Sequence, residues 1–131
     1  MTRLLEEEEA GGDIQVIYDD IRRTFGMVPN LFKVMAATDP SWLEINWYRE
    51  KKIMVDEGML DLKTRELIAF AVSAINHCDY CTHAHEKIAQ MRGATIGEIN
   101  HVRQIVELFA SFNAIANSYP GLTHDVKPNH G

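Results

Sequence analysis

Apolar residues along this chain recur every three or four positions, and acids, amides, glycines and prolines separate the runs. Ile14, Ile17, Tyr18 and Ile21 fall on one face of a predicted helix that Asp13 caps and Gly26 stops after Phe25. Met27-Val28-Pro29-Asn30 predicts a turn, with Asn30 capping a short helix over 31–37. Asp39-Pro40 ends that helix and starts the next, because proline at a first helical position forfeits no hydrogen bond. The next helix runs from Trp42 to about Met54 and breaks at Asp56-Glu57-Gly58; Trp42, Trp47 and Tyr48 read as core rather than as a pocket lining. Asp61 caps a central helix to about Asn76, where Leu67, Ile68, Phe70, Ala71, Val72, Ala74 and Ile75 leave almost no polar face. Such a helix is expected to be buried on several sides. Another begins near Cys78 or Asp79 and ends at Gly93. Thr95 and Glu98 form a capping box for a last long helix to about Tyr119, with a break near Gly97 and a core stripe of Ile105, Leu108, Phe109, Phe112 and Ile115.

No segment reads as a strand, so the expectation is an all-α domain over residues 13–119. Residues 1–12 hold Glu6-Glu7-Glu8-Glu9 and Gly11-Gly12, which predict a flexible acidic arm. Residues 120–131 turn to Pro, Gly, His and Asn and predict a loose tail in which His124 and His130 are solvated.

Composition narrows the function. A chain of 131 residues suits one compact domain and can hold a core without disulfide staples. The net charge of −6, from 13 Lys and Arg against 19 Asp and Glu, with no basic stripe, argues against a nucleic-acid partner. The N-terminus lacks a secretory pattern, and the longest apolar stretch, 67–75, is too short to span a bilayer. A cytoplasmic protein with no membrane partner is expected. In that reducing setting two cysteines three residues apart point to redox or metal chemistry rather than a permanent bridge.

Both cysteines and three of the six histidines lie between Glu66 and His85. On a helix, Cys78, Cys81 and His85 share one face, with the cysteine Cα atoms about 5–6 Å apart, within disulfide range. Cys81 sits in the first turn, where unpaired backbone N–H groups favour a thiolate, and His85 is a base one turn on. Cys78 can attack an oxidised Cys81 and close a disulfide. If the two helices fold back near Asn76-His77, Glu66 returns to the level of His85 and can orient its imidazole. Arg65 reads as an ordinary surface charge, and His77 and His83 as bland positions. Two other classes stay open. One is a zinc module using Cys78, Cys81 and His85, with His77, His83 or a second subunit as fourth ligand, although a structural zinc site usually draws on two separated pairs. The other is a non-enzymatic redox-sensing module. A c-type haem site is excluded in simple form, because Thr82 rather than His follows Cys81.

The spacing Glu66-x11-Cys78-x2-Cys81-x3-His85 resembles the signature of the AhpD-like alkylhydroperoxidases, within the carboxymuconolactone decarboxylase superfamily. Gly93-Ala94-Thr95 with Glu98-Ile99, and Pro29-Asn30-Leu31-Phe32 upstream, are similar to elements of the same proteins. The resemblance implies a bundle of about six helices, a protomer of a homo-trimer or homo-hexamer. It implies a hydroperoxide reductase in which Cys81 attacks peroxide, Cys78 resolves to a disulfide, and Glu66 and His85 relay protons. A lipoyl-bearing or thioredoxin-like dithiol protein would restore the thiols, and no cofactor is implied. Tyr80 stands where the best-studied members carry a histidine. The decarboxylase branch generally lacks the cysteine pair, so lactone decarboxylation is not expected.

Overall fold

The computed structural model describes residues 2–128, and among them every regular element is helical. Six α-helices follow in order: α1 Gly12–Phe25, α2 Asn30–Thr38, α3 Pro40–Glu50, α4 Leu62–Ile75, α5 Asp79–Met91 and α6 Ile96–Asn117. A 3₁₀ turn, Glu7–Glu9, precedes α1, and a π-helical turn, Lys51–Val55, continues α3. The chain divides into two compact units, Met1–Arg65 and Glu66–Gly131.

The first unit is organised around aromatic side chains. The apolar face of α1 buries Tyr18, Ile21 and Phe25. Phe32 of α2 and Leu43 and Trp47 of α3 are buried as well. Phe25 and Phe32 meet the Trp47 ring edge-on, at centroid distances of 5.8 and 5.4 Å, a favoured aromatic geometry. The Trp47 indole N–H donates to Asp20 Oδ2 at 2.9 Å, so the ring is buried with its polar edge satisfied. Trp47 is therefore core, whereas Trp42 and Tyr48 are exposed.

The helix ends follow local chemistry. Gly26 takes the left-handed conformation, φ 79°, and its N–H closes α1 on Arg22 O. Asp39 accepts from Ser41 N at the start of α3, with Pro40 in its first turn. Thr95 and Glu98 make the reciprocal capping box of α6. Three expectations about helix ends change. Pro29, not Asn30, is the cap of α2, which begins at Asn30. Gly11, not Asp13, is the cap of α1. No break occurs at Gly97, which lies in the first turn of α6, where glycine interrupts no established ladder.

The acidic arm makes contacts with α1 and α2. Leu5 N donates to Lys33 O at 3.1 Å, and Tyr18 Oη donates to Leu5 O at 2.7 Å. Glu6 pairs with Lys33 at 2.9 Å, and Glu7 with Arg22. The acids that predicted self-repulsion meet cations carried by α1 and α2.

Arg65 is a correction too. It is 9% exposed, and its guanidinium donates to three backbone carbonyls: Leu60 at 2.7 Å, Asp56 at 2.7 Å and Ile53 at 3.4 Å. It thereby holds the π turn and the following loop against the start of α4. A Cβ on Gly58 would lie 2.8 Å from Arg65 Nη2, so a side chain there would require the guanidinium to shift.

In the second unit Phe70, Ala89, Ala94 and Ile99 form a small core, with Leu67 and Val102 packed against it. Arg103 of α6 lies 5.2 Å over the Phe70 ring and bonds Glu86 of α5 at 3.0 Å. Ile68, Val72 and Ile75 of α4 are exposed, as are Ile105, Leu108, Phe109, Phe112 and Ile115 of α6. The α6 stripe is thus apolar as read but uncovered within this chain, because periodicity marks a face without saying what packs on it. Residues 122–128 carry no regular structure, and His124 among them is exposed; His130 lies outside the described residues. No helix among the described residues is long and apolar enough to cross a membrane.

Candidate redox site

Asp61 starts the site from a distance by capping α4, its Oδ1 accepting from Thr64 N at 2.7 Å. One turn in, the helix buries Glu66, only 2% exposed. A buried carboxylate requires partners. Here Glu66 Oε2 lies 2.7 Å from Nδ1 of His85, nineteen residues on. With the carboxylate ionised, Nδ1 carries the proton of this bond, and Nε2 is the basic nitrogen of the neutral ring.

A tight corner joins α4 to α5. His77 adopts the left-handed conformation, φ 59°, the one described non-glycine residue to do so. His77 N donates to Ala74 O at 3.1 Å and Cys78 N to Ser73 O at 3.0 Å, which together close the end of α4. Cys78 then caps α5: its Sγ accepts from Cys81 N at 3.2 Å. Its carbonyl accepts from Thr82 N at 2.9 Å and from Thr82 Oγ1 at 2.7 Å. One residue therefore ends one helix and starts the next.

Cys78 and Cys81 form a disulfide, with Cα atoms 5.2 Å apart, in line with the spacing expected of one helical turn. The structure thus joins the two sulfurs and pairs Glu66 with His85, the latter on α5 one turn beyond Cys81. Cys81 lies in the first turn of α5, as expected; within the disulfide its backbone N–H meets the sulfur of Cys78, which caps the helix that begins at Asp79. His77 and His83 are exposed. Among the described residues no group of three or more His, Cys, Asp or Glu is placed to hold a metal ion.

The left-handed His77 and the capping role of Cys78 went unread in the sequence. Their signal was a short polar step, Asn76-His77, between an apolar run and the cysteine; His and Asn are enriched in that conformation.

The chain is similar to known proteins. A crystal structure of the alkylhydroperoxidase AhpD core from Rhodospirillum rubrum superposes with a TM-score of 0.86 at 36% identity, over 95% of this chain and 93% of that one. A protein of Mycobacterium tuberculosis named alkyl hydroperoxide reductase is 29% identical over 86 residues, 66% of this chain and 24% of that protein. "Uncharacterized protein 4 in cox locus" of Paracoccus denitrificans is 34% identical over 64 residues, 49% of this chain and 53% of that protein. The chain spans about half the length of the Paracoccus relative and about a quarter of the mycobacterial one. Residues 42–122, which contain α4, the corner, α5 and α6, match the carboxymuconolactone decarboxylase family. With its all-helical AhpD-like fold, the chain belongs to the carboxymuconolactone decarboxylase family.

Proposed function

We propose that this chain is a thiol-dependent hydroperoxide reductase. The observation that carries the proposal is the Cys78–Cys81 disulfide at the start of the helix that carries a histidine whose Nδ1 is held by a buried carboxylate. In the reduced protein Cys81 thiolate attacks the O–O bond, taking one oxygen as a sulfenic acid while the other departs and is protonated to an alcohol. Cys78 thiolate then attacks the Cys81 sulfur, forming the disulfide and releasing water. His85, oriented by Glu66, accepts the thiol proton and supplies protons to the departing oxygens. The likeness to proteins named alkylhydroperoxidase and alkyl hydroperoxide reductase supports a peroxide as substrate. A dithiol, lipoyl-bearing or thioredoxin-like, closes the cycle.

The proposed working form is a homo-oligomer, a trimer or hexamer. It is supported by the apolar residues of α4 and α6 named above, which are 41–54% exposed in the single chain.

Peroxide consumption with dihydrolipoamide as donor tests the activity. Wild type turns over and Cys81→Ser does not; Cys78→Ser, given peroxide in the absence of any thiol donor, reacts once and leaves a dimedone-reactive sulfenic acid. Equal rates for wild type and Cys81→Ser end the proposal.

A further inference from the structure

Once formed, the disulfide must be opened by an incoming thiol, and the two sulfurs are not equivalent. Cys78 Sγ accepts the N–H of Cys81 at 3.2 Å at the positive end of α5. Its backbone is fixed on both sides, through Ser73 O, Thr82 N and Thr82 Oγ1. The left-handed turn at His77 sets that position. A sulfur so held keeps its donor when the S–S bond breaks, and a thiolate gains more from an N–H than a disulfide sulfur does.

We infer that the pair is polar in reduction: the reductant attacks Cys81, and Cys78 leaves as the thiolate capped by the start of α5. This deepens the redox function proposed above and rests on it. In the first step the donor thiolate bonds Cys81 Sγ while the electron pair of the S–S bond passes to Cys78 Sγ. The donor's second thiolate then attacks the donor sulfur of that mixed disulfide. The donor becomes a disulfide and Cys81 leaves as a thiolate. Two electrons pass from the dithiol to the protein. The lower pKa of the leaving thiol is what favours this direction. The same contact favours the thiolate form of Cys78 that resolves an oxidised Cys81.

The test needs no peroxide, so its outcome is separate from that of the activity assay. Oxidised wild-type protein is mixed with glutathione, quenched at early times with N-ethylmaleimide, and mapped by mass spectrometry. The expected product carries glutathione on Cys81 and maleimide on Cys78, in roughly threefold or greater excess over the reverse. Glutathione mainly on Cys78, or equally on both, overturns the assignment even in a protein that turns over peroxide. The cause is read separately, from thiolate absorbance against pH. Cys78 in Cys81→Ser is expected to titrate about one unit below Cys81 in Cys78→Ser. A Cys78 thiol at or above Cys81 refutes the capping explanation.

Discussion

Glu66 and His85 meet across nineteen residues, and the consequences of that pairing belong to single side chains. Glu66→Gln keeps the volume and a hydrogen-bonding oxygen but removes the charge. Peroxide turnover is expected to fall about tenfold or more. Thermal stability is expected to change by no more than about 1 kcal/mol. Undiminished kcat with a folded variant would take Glu66 out of the proton relay. Tyr18 offers a pH readout. Burial first, then the charges of Glu6, Glu7 and Glu9, push its hydroxyl up to about 12. The unfolded tyrosine ionises near 10, so the contribution is intact below about pH 10 and is lost as pH rises towards the folded value. Tyr18→Phe should lose the bond to Leu5 O, costing about 1 kcal/mol, and flatten the alkaline limb of a denaturation series between pH 8 and 12. At this scale the sequence was informative where spacing alone decides, as for Cys78, Cys81 and His85. It misled on Arg65, read as a surface charge, because three backbone carbonyls contributed by a loop and a π turn leave no side-chain pattern to read.

Between elements, Asp20 joins α1 to α3 and the π turn. Its carboxylate accepts from Lys51 Nζ at 2.8 Å and from the Trp47 indole. Those two bonds, Lys51 first, hold its pKa below the ordinary carboxylate value. The stabilisation is therefore present above about pH 4 and disappears as pH falls through the lower folded value. Asp20→Asn should be less stable than wild type at pH 7, and urea midpoints of the two should converge as pH falls below about 4. A gap that stays constant with pH would mean that packing, not charge, explains it. Helix starts and stops were legible at Gly26, Asp39 and Thr95, but not at the starts of α1 and α2, where Gly11 and Pro29 cap in place of Asp13 and Asn30. The α6 stripe was legible as a face but not as an exposed one. An interchain contact and an intrachain core select the same residues.

For the molecule as a whole, that uncovered stripe is the most consequential property. Phe109 and Phe112 stand edge to face at 5.9 Å on α6, both about half exposed. Phe112→Asp is expected to shift sedimentation from the proposed oligomer towards monomer while leaving the circular-dichroism spectrum of the chain unchanged. An unchanged sedimentation coefficient would place the subunit contact elsewhere. The corner at Cys78 sets a different kind of bound, on length rather than on chemistry. Since one residue serves both helices, the step between them has no slack. Each residue of an α-helix advances its phase by about 100°. A single codon inserted after His77 would leave every side chain of α5 intact yet rotate them out of phase with α4, carrying the imidazole away from its carboxylate. That joint should therefore tolerate replacement far better than insertion or deletion.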